Sequence, residues 1–185
     1  MLLLLIKHSY LEYDIKKICY LCFFKLRHNK QMSSSRFEIK RVKKQPILSI
    51  TKTVKVAGIG AVFAQIYGEI SAYMAANGWK QVSSPVAIYH SFSHNEVEVE
   101  AGIPVSDGAV GNGDIELSAT PSGTIVMAKH FGPYETLEET HEDINEYISE
   151  EGHAPDEICW EVFVTDPTTE PNPEKWETLV CYPIW

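Results

Sequence analysis

The chain has 185 residues, of which 44% are apolar and 22% are charged, and its formal net charge is −9. This composition is typical of a globular protein and excludes fibrous and low-complexity classes. Residues 1–31 carry a net charge of +4, whereas residues 32–185 carry −13. Because such an acidic body repels phosphate backbones, we expect no direct DNA binding by it.

The first 31 residues differ from the rest of the chain in composition as well as in charge. They contain two apolar runs, MLLLLI and ICYLCFF, and both are too short to cross a bilayer. The basic residues follow the first run and no cleavage site of small residues is present, so the pattern does not predict a signal peptide. We interpret residues 1–31 as an N-terminal extension, either a misassigned start or a loosely attached helix. Residues 32–185 then form the folded domain.

The first half of this domain is predicted to follow the order strand, helix, strand, strand. Alternating apolar and β-branched residues predict strands over 46–56, 86–92 and 96–105. Apolar residues at intervals of three and four predict a helix over 58–78, which ends at an Asn-Gly pair. The strand at 96–105 begins with EVEVE, whose three glutamates share one face, and we predict that this face is solvated.

The second half repeats this design after an additional strand pair. Residues 115–131 are predicted to form a hairpin around Pro121-Ser122-Gly123. A second amphipathic helix is predicted over 136–152, followed by strands over 158–164 and 177–185. The inward-facing stripe of this second helix comprises Leu137, His141, Ile144 and Ile148.

The two halves match when one is displaced by 74 residues along the chain. Phe63 then coincides with Leu137, and Ile70 coincides with Ile144. Each half reads β-α-β-β, the first over about 46–105 and the second over about 115–185. Because each helix must bury its apolar stripe against a sheet, we predict an α+β fold. This fold has one antiparallel sheet, both helices on one face, and a ligand cleft between the repeats.

Glu161 is out of place in the predicted strand ICWEVFV, where apolar residues surround it. Burying a carboxylate there costs several kcal/mol unless it is paired. One explanation is structural, with Glu161 at a sheet edge or paired with a lysine such as Lys129. The other is a pocket carboxylate that attracts a lipophilic cation or acts as a general base. Strand alternation places Phe163 on the same face as Glu161 and Trp160 on the other.

Metal and cofactor chemistry is not predicted. Cys19 and Cys22 form a CxxC pair, but no second pair at zinc-finger spacing accompanies it. His90 and His94 share a predicted strand without an acid or cysteine at ligand spacing. The chain has no P-loop and no dinucleotide fingerprint. Because nothing in the cysteine pattern indicates an oxidising compartment, we expect a cytoplasmic protein.

Four short motifs in the second half resemble one known family. They are HFGPY (130–134), WEV (160–162), DP (166–167) and PEKW (173–176). Over roughly residues 36–185 the chain resembles the GyrI-like small-molecule-binding domain, also called the bacterial transcription-activator effector-binding domain. The resemblance implies that Glu161 meets cationic aromatic ligands. The aromatic pocket residues that it implies are Tyr89, Tyr134, Trp160 and Trp176, and the position of Phe163 in its strand adds a fifth candidate.

The resemblance implies a stand-alone small-molecule-binding protein, because residues 1–31 are too short to supply the helix-turn-helix domain of the family's regulators. We expect it to capture lipophilic, cationic aromatic ligands in drug response or transcription regulation, without a membrane partner. One alternative is a hydrolase of strained, cyclopropane-type electrophiles that uses Glu161 as its base. Another is a gyrase-inhibitor-like module that binds a protein partner.

Overall fold

A computed structural model of the chain describes residues 36–55, 58–93 and 95–185. The predictions for residues 1–31, for the CxxC pair and for His94 lie outside the described residues. The elements within them are the strands β1 (Phe37–Val42), β2 (Pro46–Lys55), β3 (Val86–Phe92), β4 (Glu96–Pro104), β5 (Glu116–Ala119), β6 (Gly123–Phe131), β7 (Cys159–Phe163) and β8 (Glu177–Pro183), and the helices α1 (Ile59–Asn77) and α2 (Leu137–Glu150).

The eight strands form one antiparallel sheet in the order β1-β6-β8-β7-β3-β4-β2-β5. At its centre, β3 pairs with β7 and joins the group β3-β4-β2 to the group β7-β8-β6. The chain passes through β2, α1, β3 and β4, and later through β6, α2, β7 and β8. The predicted α+β fold with one antiparallel sheet is confirmed, whereas duplication of the unit stays a prediction.

Both helices pack on the same face of the sheet, as predicted. Their apolar stripes contribute to one core cluster with inward-facing residues of β2, β4, β6 and β8. Gly78, whose φ of 72° lies in the left-handed region, ends α1 at the predicted stop. A smaller apolar cluster, which includes Trp160 of β7, covers the opposite face of the sheet. Neither helix of the described part of the chain has the length and apolar character that a membrane span requires. The buried helix residues are Ile59, Phe63, Ile66, Ile70 and Met74 of α1, and Leu137, Thr140, Ile144 and Ile148 of α2.

The predicted hairpin over residues 115–131 is wrong. Strand β5 pairs with β2, whereas β6 pairs with β1 and β8, so the two strands lie towards opposite edges of the sheet. The links at 43–45 and 120–122 each span at most about 14 Å. The sheet must therefore curl until its two edges approach each other, and Thr120 N–H donates to Gln45 O at 2.9 Å where the links meet. Turn residues predicted the reversal, but they carry no information about which strand is the partner.

The prediction that the glutamate face of EVEVE is solvated is also wrong for its last glutamate, Glu100. Glu100 is 8% exposed, because β2 and β5 bring polar side chains over it. Ser49 Oγ donates to Glu100 Oε1 at 2.6 Å, and Ser118 Oγ donates to the same oxygen. His90 Nε2 lies 2.8 Å from Oε2. This hydrogen-bonded group, the Glu100 network, forms on the face opposite the helices.

The Glu100 network predicts a pH-dependent contribution to stability. Burial raises the pKa of the Glu100 carboxyl, but hydrogen bonds from Ser118, Ser49 and His90 lower it more, so the net pKa lies below its ordinary value of 4.5. A carboxyl with a lowered folded-state pKa stabilises the fold above pH 4.5, and this contribution is lost as the pH falls below that value. We expect Glu100→Gln to cost about 1–3 kcal/mol of unfolding free energy at neutral pH.

Urea denaturation of the wild type and Glu100→Gln over a pH series measures this difference. The two stabilities should converge as the pH is lowered through the range below 4.5. A difference that stays constant over that range would contradict the charge-assisted hydrogen bonds described here.

Candidate ligand-binding site

Glu161 lies in β7, near the centre of the sheet, and its side chain is on the face that carries the helices. The residue is 2% exposed. Tyr89 Oη donates to Glu161 Oε2 at 2.9 Å, and His141 Nε2 lies 3.0 Å from Oε1. The lysine alternative is not what the structure shows, because Lys129 Nζ instead lies 3.8 Å from Glu177. The carboxylate is therefore held by one phenol and one imidazole.

His141 is the principal site residue that sequence reasoning missed. The periodicity of α2 predicts it in the core-facing stripe, and the structure does place it on the sheet side of that helix, where Nδ1 lies 2.8 Å from Tyr182 Oη. In one tautomer the ring accepts a hydrogen bond from Tyr182 at Nδ1 and donates from Nε2–H to Glu161, which satisfies all three groups. The available signal was the histidine itself, because a polar ring in an inward-facing stripe needs a hydrogen-bond partner.

A contiguous set of aromatic rings lies beside the carboxylate. The ring centroid of Phe163 is 5.5 Å from that of Tyr134 and 6.3 Å from that of Tyr67. Tyr134 also contacts Trp176 at 4.8 Å, and these contacts are tilted or edge-on. We call Tyr67, Tyr134, Phe163 and Trp176 the aromatic cluster. It comes from α1, the turn before α2, β7 and the segment before β8, so no short stretch of sequence contains it.

The phenols of the site remain protonated at neutral pH. Burial first, and then the charge of Glu161, raise the pKa of Tyr67 and Tyr89 well above 10. The same two causes, with a smaller effect of Asp166, raise the pKa of Tyr134 to about 12. Among these groups, the tyrosines act as neutral donors and ring surfaces.

The model of the GyrI-like small molecule binding domain matches residues 35–184. The chain belongs to this family. A comparison with curated protein sequences gives no match.

Solved structures share the fold of this GyrI-like domain at low identity. The C-terminal domain of EcmrR has a TM-score of 0.69 and 18% identity, covering 81% of this chain and 97% of that one. EcmrR in its DNA complex has a TM-score of 0.73 and 17% identity, covering 98% of this chain and 64% of that one. A hydrolase from Listeria innocua has a TM-score of 0.58 and 15% identity, covering 81% of this chain and 92% of that one. SAV2435 bound to tetraphenylphosphonium has a TM-score of 0.60 and 10% identity, covering 80% of this chain and 93% of that one.

The GyrI-like domain brings four of the five predicted aromatic residues to the Glu161 side of the sheet. Tyr89 binds the carboxylate directly, and Tyr134, Phe163 and Trp176 belong to the aromatic cluster. Trp160 is the exception and corrects the prediction, because its side chain is 4% exposed in the apolar cluster on the opposite face. Neighbouring residues of a strand point to opposite faces, so Trp160 cannot share a site with Glu161 on one face.

A cavity of about 530 Å³ opens beside the turn that carries Tyr134. Its lining residues are Arg36, Lys129, His130, Phe131, Thr136, Glu139 and Thr140. Glu161 is not among them, and its 2% exposure leaves the carboxylate out of reach of solvent. A ligand can therefore touch Glu161 in this GyrI-like domain only after neighbouring side chains move aside.

Proposed function

We propose that this GyrI-like domain binds lipophilic aromatic cations, with Glu161 as the group that selects for positive charge. The observation that carries the proposal is a carboxylate that is 2% exposed, lies next to aromatic rings and has no cationic lysine or arginine beside it among its described contacts. A buried carboxylate costs free energy unless a positive charge compensates it. A ligand cation supplies that compensation.

Each part of the site has a distinct role in this proposal. Glu161 attracts the cation, and the faces of Tyr134, Phe163 and Trp176 contact its rings and its charge through cation–π interactions. Tyr89 and His141 hold the carboxylate in place by hydrogen bonds at 2.9 and 3.0 Å. At an effective dielectric constant of about 20, a cation about 4 Å from the carboxylate gains roughly 4 kcal/mol.

Two further points support the proposal. The fold is shared with SAV2435, whose structure holds tetraphenylphosphonium, a lipophilic cation without hydrogen-bonding groups. The aromatic cluster is only half-buried, so its rings can be displaced by an incoming ligand. Residues 32–185 are proposed as the ligand-binding unit, which would capture such compounds in drug response or regulation. A protein partner of the gyrase-inhibitor kind stays a prediction.

Calorimetric titration of the full chain with tetraphenylphosphonium and with neutral triphenylphosphine oxide tests the proposal. We expect the cation to bind at least about tenfold more tightly, because only the cation gains from the buried carboxylate. Equal affinity for the two compounds, or binding of the neutral compound alone, would show that Glu161 does not select for charge.

The pairing of Glu161 with His141 favours a second candidate, a hydrolase of strained cyclopropane-type electrophiles. Glu161 would accept a proton from water as the water oxygen attacks a ring carbon. The broken carbon–carbon bond would deliver its electron pair to a conjugated carbonyl, whose oxygen is then protonated. The shared fold with a hydrolase from Listeria innocua supports this candidate. Mass spectrometry of a cyclopropane-type electrophile recovered after incubation with the protein separates the two functions. Hydrolysis adds the mass of one water to the compound, whereas binding alone returns it unchanged.

A further inference from the structure

Thr178 carries the one buried side-chain polar atom that has no hydrogen-bond partner within the described residues. The residue is 0% exposed, and its Oγ1 meets neither protein donor nor protein acceptor there. Most buried hydroxyls in folded proteins are paired, because an unpaired one loses its hydrogen bonds to water without replacement. A valine would fill nearly the same space without this cost. The hydroxyl therefore requires an explanation other than packing.

The position of Thr178 connects it to the Glu161 site. In β8 it lies two residues before Val180, so both side chains are on the face that carries the helices. Thr178 is paired with Phe163, a member of the aromatic cluster, and Val180 is paired with Glu161. Thr178 and Glu161 are therefore diagonal neighbours on adjacent antiparallel strands, with Cα atoms about 7–8 Å apart.

The polar residue paired with Thr178 on the adjacent strand β6 already has other hydrogen-bond partners. His130 is paired with Thr178 in the ladder between β6 and β8. Its Nδ1 lies 2.8 Å from Thr140 Oγ1, and its Nε2 lies 3.2 Å from Thr136 Oγ1. Both ring nitrogens are thus occupied. The Thr178 hydroxyl is left available to a group that enters the site from outside.

We propose that the Thr178 hydroxyl binds a polar substituent of the ligand whose cation is held by Glu161, an inference that rests on the proposed function and adds a second recognition point to it. The favoured ligands are flat aromatic cations that carry an N–H or O–H group several Å from the charge. In this arrangement the carboxylate selects for charge and the hydroxyl selects among cations. The aromatic cluster, whose Phe163 adjoins both Glu161 and Thr178, contacts the ring that connects the charge to the polar substituent.

Substitution of Thr178 by valine tests the inference in the full chain, with two cations of the same charge and shape. The probes are ethidium, which has two aryl amino groups, and 5-ethyl-6-phenylphenanthridinium, which lacks them. We expect Thr178→Val to weaken ethidium binding by about five- to tenfold and to leave the desamino cation unchanged. Thr178→Ser, which keeps a hydroxyl, should retain the preference for ethidium.

A stability measurement on the same variants gives an independent readout. Thr178→Val should raise the thermal unfolding midpoint of the unliganded protein, because it removes an unpaired buried hydroxyl. Equal weakening of both phenanthridinium cations, or no weakening of either, would overturn the role of Thr178. Tetraphenylphosphonium reports on the proposed function separately, since it lacks hydrogen-bonding groups and should bind wild type and Thr178→Val equally. If the wild type binds none of the three cations, both the proposed function and this inference are overturned.

Discussion

Glu161→Gln is expected to weaken tetraphenylphosphonium binding by about 10- to 100-fold, which corresponds to roughly 1.4–2.8 kcal/mol. Glutamine has nearly the same shape and can still accept the hydrogen bond from Tyr89, but it removes the negative charge that lies among the aromatic rings. The affinity for neutral triphenylphosphine oxide should change little, because that compound gains nothing from the charge. Calorimetric titration of both ligands into both proteins measures the two effects.

Glu100→Gln is the matched control for this experiment. It changes the net charge by the same amount and also replaces a buried carboxylate of the sheet, since Glu100 is 8% exposed. The Glu100 network is on the opposite face, so this variant should bind the cation about as well as the wild type. Equal weakening by the two substitutions would mean that overall charge, and not the position of Glu161, determines affinity.

Ile144→Ala is expected to lower the free energy of unfolding by about 2–5 kcal/mol. Ile144 is 0% exposed in the middle of α2, where it packs in the main core cluster between helix and sheet. Truncation loses the transfer free energy of the removed methylene and methyl groups and leaves a cavity that the sheet cannot fully close. Urea denaturation, with the dependence on denaturant checked for a constant slope, measures the loss.

Glu146→Ala on the exposed side of the same helix is the control and should change stability by less than about 0.5 kcal/mol. Ile70→Ala in α1 provides a second comparison, because Ile70 is also 0% exposed and coincides with Ile144 when the two halves are displaced by 74 residues. Similar losses for the two isoleucines are expected if both helices contact the sheet in the same way. If Ile144→Ala lowers the free energy of unfolding no more than Glu146→Ala does, the packing of α2 against the sheet is contradicted.

The local chemistry of the chain was sufficient to predict the elements and one site residue. The apolar periodicity predicted a helix over 58–78, and the structure has α1 at Ile59–Asn77, because helical spacing and a glycine stop are properties of neighbouring residues. The same local reasoning singles out Glu161 as a carboxylate inside an apolar strand, and the structure places this residue at 2% exposure. Its role in ligand binding remains a proposal.

The partners of each buried polar group were decided by the tertiary structure alone. Tyr89 reaches Glu161 across 72 residues of sequence because β3 pairs with β7, and no local pattern specifies that pairing. Burial of Glu100 depends on the pairing of β5 with β2, which replaces the expected pairing of β5 with β6. The sequence by itself determined the class of fold, the two helices and the out-of-place acid. Only strand pairing over long range determined what surrounds that acid, because side chains distant in sequence meet only once the register of the sheet is set.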